Sequence, residues 1–387
     1  MKRRKQLLLC FAVILSCILL FHERIVAMAS DENFSPELAI GESGELLLEK
    51  MELEEVQRML DNMLERDSFS IRDTLTRLLS GENIFSIETL QNLVRSLFFR
   101  ELEQERGFFT EVLFLIFLCA IFTSFSAAFE NTQVGEISFY VSYLFLFTLC
   151  MNAFAGLCEN LSGVLEWITE FMKGLAPAYF LAVAASVGAT TAAVFYEGVL
   201  VLAWMVEWIM LRVLLPGTNL YVLLRLINHM SKEEMLGKAA ELTGTLIGWC
   251  LKTLLGVMAG MNLVRGLVSP VMDTLKRGTL GKLAEALPGI GNAVNAVTEV
   301  LLAGAVLVRN SLGLVFLLAL LLVGLGPLIH YLFLTLTWRF LAAVAQPVSD
   351  RRLVSCMETM GEGCMVLFRI FLTAEFLCML VLLILNA

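Results

Sequence analysis

From Phe108 onward the apolar positions stop alternating with polar ones and run together. A membrane-crossing helix needs about 20 mostly apolar residues. Phe108 to Phe129 and Ile137 to Cys158 each supply that length, separated by a polar turn at Glu130 to Glu136. Leu161 to Lys173 is apolar on one face only and predicts a helix lying along the interface, with Trp167 at headgroup depth. Leu175 to Phe195 and Val199 to Leu215 form the next pair, the second ending at Pro216-Gly217. The mixed stretch Thr218 to Glu241 is not expected to span. Leu242 to Val264 follows, then Leu287 to Val308, which is interrupted by Gly289, Gly291, Asn292, Asn295 and Glu299. Leu312 to Leu336 and Cys364 to Leu385 complete the set, for about seven or eight spans. The predicted fold class is all-α: a polytopic helical membrane protein with a small N-terminal helical domain outside the cytoplasm.

Upstream the periodicity changes. Met51, Leu53, Val56, Met59, Leu60, Met63 and Leu64 recur mostly at three- and four-residue intervals, the mark of a helix with one apolar face. Ser70-Ile71-Arg72-Asp73 resembles a capping box and predicts a second helix through Leu79, which Gly81 can end. A third starts at Ser86 and runs through Leu90, Leu93, Val94, Leu97, Phe98 and Leu102 towards the membrane. A domain this small needs a surface to dock on, either the membrane part or a partner. At the extreme N-terminus, Lys2, Arg3, Arg4 and Lys5 precede the apolar run Leu7 to Phe21 and the small-x-small site Ala27-Met28-Ala29. That order predicts a secretory signal cleaved after Ala29, the alternative being an uncleaved anchor. Three regions result: a signal over 1–29, an acidic helical extracytoplasmic domain over 30–106, and a polytopic membrane domain over 107–387.

Composition agrees with lipid as the main solvent. Of 387 residues 58% are hydrophobic and 17% charged, against about 45–50% and 25% in soluble proteins. A net charge of −9, with nearly half of the acid between Asp31 and Glu105, argues against a nucleic-acid partner. The nine cysteines include no CxxC pair and fall in the signal or in and beside apolar segments, so packing is expected rather than bridges or metal. With 30–106 outside, alternation puts Arg265, Lys276, Arg277, Lys282, Arg339, Arg351 and Arg352 on the cytoplasmic side, as the positive-inside tendency prefers. It also leaves Arg225, Lys232 and Lys238 outside, against that tendency.

Two constellations stand out. Gly244, Gly248, Lys252, Gly256 and Gly260 repeat every four residues along one helical face. Small residues at that spacing let another helix approach closely. Lys252 at membrane depth calls for a partner or a wet cavity, with Glu207 and Glu299 among the acids that could answer it. The second runs from Leu287-Pro288-Gly289-Ile290-Gly291-Asn292 through Asn295 and Glu299 to Arg309-Asn310. A Pro–Gly break followed by polar residues at spacings of three and four suits either a conduit lining or an interhelical hydrogen-bond seam. No P-loop, HExxH or GxSxG motif occurs, and the histidines at 22, 229 and 330 are scattered. No enzyme activity, cofactor or metal is expected. His330, near Pro327, is expected to be packing or interface.

The chain resembles the stage III sporulation protein AE family of endospore-forming bacteria. The resemblance is carried by Gly81-Glu82, Leu97-Phe98-Phe99-Arg100-Glu101-Leu102, Ala128-Phe129-Glu130, Phe171-Met172 to Pro177, and Gln346-Pro347-Val348-Ser349-Asp350. Its most specific part is Asp273 to Gly313, with Lys276, Leu287-Pro288-Gly289-Ile290-Gly291 and Arg309-Asn310-Ser311-Leu312-Gly313. The family usually shows Ile-Pro-Val-Val-Gly and Lys-Asn-Ala-Val-Gly at the last two places, so the break and the positive charge are kept. The resemblance implies a multi-pass protein of the mother-cell membrane, in the channel-like complex joining mother cell to engulfed forespore. Implied partners are the other stage III A-group membrane proteins, their ATPase and, indirectly, stage II sporulation protein Q. Two further readings remain open: a self-sufficient ion-coupled secondary transporter using Lys252 and Glu299, and a non-conducting membrane scaffold.

Overall fold

The structure, a computed structural model, describes residues 53–63, 70–79, 87–104, 106–127, 132–187, 189–230, 235–284, 291–347 and 349–386. The signal and the polar stretch after it lie outside these residues. Every element described is helical: α1 (Leu53–Met63), α2 (Ile71–Leu79), α3 (Ile87–Gln104), α4 (Arg106–Ala127), α5 (Thr132–Val187), α6 (Ala189–Ile209), a π-helical turn (Met210–Leu214), α7 (Leu215–Met230), α8 (Gly237–Ala284), α9 (Gly291–Ala345) and α10 (Arg351–Asn386).

Among the described residues, five stretches are long and apolar enough to cross a membrane: Phe139–Ala178, Val201–Met230, Gly237–Gly260, Val308–Ala345 and Arg351–Leu382. Several predicted segments prove to be parts of one helix. Ile137 to Cys158, Leu161 to Lys173 and the start of the next run are continuous in α5. The expected interfacial helix is therefore the middle of a longer one. Its apolar face, with Leu161, Leu165, Ile168, Phe171 and Met172, is buried in protein, and Trp167 stacks on Phe171 at 5.1 Å. Likewise Leu287 to Val308 and Leu312 to Leu336 join from Gly291 onward in α9. At 1.5 Å per residue the stretches Phe139–Ala178 and Val308–Ala345 have contour lengths of about 60 and 57 Å, roughly twice the hydrocarbon thickness.

Pro216 does not end a helix. A proline ring clashes with the carbonyl four residues back, here Arg212, and donates no hydrogen bond. The π-helical turn at Met210–Leu214 contains that residue, and α7 then continues through Thr218 to Met230. The stretch expected not to span thus contributes Thr218, Tyr221, Val222 and Leu226 to the interior.

The core is built around α10. It pairs most extensively with α9 and also packs on α5, α7 and α8. Gly363 marks the closest approach: a Cβ there would stand 2.6 Å from Val222 Cγ2 and 2.7 Å from Phe154 Cε2. Only a glycine lets α5, α7 and α10 meet at this point. Asp350 starts α10, its carboxylate accepting the Arg352 N–H at 2.9 Å and its carbonyl the Leu353 N–H at 3.0 Å.

Upstream, Ser70 caps α2 as its spacing predicts, its hydroxyl accepting the Asp73 N–H at 3.2 Å. Gln57 ties α1 to α2 by accepting the Ile71 N–H at 2.8 Å. Val56, Leu60, Ile71 and Leu75 are buried, and α1 and α2 pack on α5 and α9, with Met59 beside Gly174.

Candidate functional site

Contacts fix which helix ends lie together. The Tyr143 hydroxyl donates to the Leu226 carbonyl, and the Arg352 guanidinium sits 3.5 Å above the Phe139 ring. Arg225 lies 3.7 Å from Glu362, whose carboxylate also accepts the Tyr221 hydroxyl at 2.9 Å. His229 meets the Thr359 hydroxyl at 3.2 Å, and Asn228 accepts the Leu236 N–H at 2.9 Å. The turn after α7 and the turn before α10 therefore share one end. Arg225, Lys238, Arg351 and Arg352 are grouped there. This corrects the alternation expected from sequence, which set the Arg225–Lys238 segment opposite Arg339–Arg352. The physical reason is that the predicted spans Leu287 to Val308 and Leu312 to Leu336 are joined in α9, so two candidate spans rather than three separate the turns. At the other end, α1 meets α5 at Gly174, about 30 residues and roughly 45 Å of helical rise beyond Tyr143.

The glycine stripe on α8 divides. Gly244 packs under the Tyr221 ring, where a Cβ would meet Cε2 at 3.1 Å. At Gly248, Gly256 and Gly260 a Cβ would meet nothing within 4 Å, and Lys252 between them is exposed. Among the described residues, then, the stripe is a helix-packing face only at its first member. Glu207 does not answer Lys252; its carboxylate lies 3.6 Å from Lys173 of α5. In the second constellation Pro288 and Gly289 lie outside the described residues. Gly291 opens α9, and Asn292, Asn295 and Glu299 follow in its first turns on one face by register. Arg309 and Asn310 are half-buried in the same helix. The two constellations are not brought together by any described contact.

The structure adds further polar features that the two constellations do not include. His330 Nδ1 lies 2.7 Å from the Glu101 carboxylate, joining α3 to α9, with the Glu101 side chain 8% and the His330 side chain 18% exposed. The second ring nitrogen of His330 is buried without a hydrogen-bond partner. Glu375 is 3% exposed in α10, its carboxylate lies directly over Gly324 of α9, where any Cβ would collide with it, and Oε2 has no hydrogen-bond partner. The Tyr331 hydroxyl donates to the Leu157 carbonyl at 3.2 Å, pinning α9 to α5. Cys150 and Cys356 lie with sulfurs 3.9 Å apart between α5 and α10, and both are free thiols. Among the described residues, no group of three or more His, Cys, Asp or Glu is placed to hold a metal ion.

A family model for stage III sporulation protein AE matches residues 69–387, from the cap of α2 to the end of the chain. The chain belongs to the stage III sporulation protein AE family. A curated relative, the stage III sporulation protein AE of Bacillus subtilis (strain 168), is 21% identical over 300 residues, covering 77% of this chain and 75% of the relative. No solved structure matches. Membership in the stage III sporulation protein AE family implies a role in sporulation. The candidate spans are those of a multi-pass membrane protein.

Proposed function

We propose that this stage III sporulation protein AE family member is a non-enzymatic membrane subunit of the complex connecting mother cell and forespore. The observation that carries the reading is the family match across residues 69–387, which takes in all the candidate spans. The partners of this reading are the other stage III A-group membrane proteins and their ATPase, with stage II sporulation protein Q reached indirectly. The end bearing Arg225, Lys238, Arg351 and Arg352 faces the cytoplasm, where basic residues concentrate, and α1 and α2 lie on the far side, between the two membranes. Arg106–Ala127 adds a span to the five. The open face at Gly248, Lys252, Gly256 and Gly260 receives a helix of another subunit, since an exposed lysine in an apolar span needs a polar neighbour. Asn292, Asn295 and Glu299 line the conduit part.

Reconstitution in vesicles separates this reading from that of a self-sufficient transporter. The protein alone is expected to carry no small-molecule or ion flux, and flux by the protein alone, lost in Lys252→Ala or Asn292→Leu, would sink the subunit reading. In the native host, replacing Asn292, Asn295 and Glu299 together by leucine is expected to block sporulation. Full sporulation in that variant removes the conduit assignment. Reporter fusions in the 231–236 and 346–349 turns are expected on the same, cytoplasmic side; opposite sides would refute the orientation.

A further inference from the structure

The acidic N-terminal region reads from sequence as one aqueous domain up to Arg106, but α3 does not behave as an aqueous helix. Phe98, Phe99 and Leu102 are 41%, 52% and 43% exposed and share one face, because spacings of three and four residues superpose on a helix. The one carboxylate buried in this stretch, Glu101, three residues past Phe98, turns onto His330 of α9. Phe98 also packs edge-on against Phe333 at 5.4 Å, and Phe109 of α4 packs on the same ring at 5.8 Å. On α9, Phe333 lies between Leu332 and Leu336, which with Phe340 and Val344 form an outward stripe every four residues, 36% to 64% exposed. That stripe belongs to the apolar candidate span Val308–Ala345, whose exposed face suits acyl chains as its solvent. The outer face of α3 continues it. Leu113, Phe114, Phe117 and Ile121 of α4 are exposed as well.

We propose that α3 is a lipid-embedded helix of the membrane domain, with Phe98, Phe99 and Leu102 among phospholipid acyl chains and Arg95 and Arg100 on headgroup phosphates. Both arginines are exposed, and the Arg95 guanidinium stands 5.8 Å over the Phe99 ring, an arrangement that keeps the charge at the polar edge of an apolar patch. Glu103, the one exposed acid described on this stretch, lies four residues past Phe99 at the edge of this face and three residues past Arg100. The Glu101–His330 contact satisfies the carboxylate that would otherwise oppose insertion. The boundary between aqueous and membrane regions accordingly falls before α3.

A photoreactive benzophenone amino acid placed at Phe99, and separately at Leu102, tests this in the full chain in native membranes. Mass spectrometry after irradiation is expected to show the peptide shifted by the mass of one phospholipid at either position. The same probe at Glu54 of α1, exposed in the aqueous part, is expected to show no such shift. A cross-link from Phe99 or Leu102 to another protein, or the absence of lipid adduct at both, overturns the proposal.

Discussion

Gly363→Ala probes the tightest point of the fold. The added methyl would lie 2.6 Å from Val222 Cγ2 and 2.7 Å from Phe154 Cε2, where carbon atoms ordinarily rest about 3.5–4.0 Å apart. Two overlaps of about 1 Å press on α7 and α5 at once, and Val222 and Phe154 are both fully buried, so neither can swing into solvent. Overpacking of this kind costs about 1–3 kcal/mol, and with both sides closed the upper part of that range applies. Replacing glycine by alanine in a helix returns about 1 kcal/mol of propensity. The net expected loss is about 1–2 kcal/mol. Gly256→Ala is the internal control, since nothing lies within 4 Å of its Cβ position and only the propensity gain, up to about 1 kcal/mol, remains. Val222→Ala removes one of the two colliding groups, so it should rescue Gly363→Ala with a coupling of about 1 kcal/mol. The assay is reversible unfolding of the purified protein in mixed detergent micelles, followed by circular dichroism. Equal stabilities for Gly363→Ala and Gly256→Ala, or strict additivity with Val222→Ala, would refute the three-helix junction.

Three further substitutions and reactions test other contacts. Glu101→Ala leaves His330 buried with neither ring nitrogen satisfied by α3, and should weaken docking of α3 by about 2–3 kcal/mol, read as faster proteolysis between α2 and α4; unchanged proteolysis contradicts the contact. Glu375→Leu replaces a buried carboxyl lacking a partner at Oε2 by an apolar group of similar size. It should be neutral or stabilising by about 1–2 kcal/mol in the same unfolding assay, and a loss of stability would mean that the carboxyl is satisfied. Mild oxidation in detergent should join Cys150 to Cys356, whose sulfurs need to close by about 2 Å from 3.9 Å. Peptide mapping reads the product, and pairing of either with Cys378 instead would overturn the α5–α10 register.

The parts of the fold legible in the sequence are those set by neighbours along the chain. Ser70 with Asp73 announced α2 because a cap is a local device, and the apolar runs announced spanning helices because hydrocarbon solvates them. What lay beyond reach depends on what packs against what. Leu161, Leu165, Ile168, Phe171 and Met172 read as an interfacial face when lipid is the only apolar partner considered; in the fold, protein covers that face and the helix runs straight through it. Pro216 read as a stop because the π-helical turn that accommodates it leaves no mark in composition. The polar contacts are harder still. Lys173 with Glu207 and Glu101 with His330 join residues far apart in the chain, and no spacing rule links them. A signal for Glu375 was present, however: a lone acid in the apolar run from Cys364 to Leu385 marks a buried special position. At the candidate site, Gly244 packs on Tyr221, Lys252 is exposed and Glu207 pairs with Lys173, contacts that depend on helices distant in the chain.

The subunit reading is tested most directly by recovering the protein from sporulating cells in mild detergent and identifying what comes with it. The account predicts co-purification of other stage III A-group membrane proteins in fixed ratio, lost when leucine replaces Lys252 on the open α8 face. Recovery of the chain alone, while those proteins still assemble with one another in its absence, would contradict it.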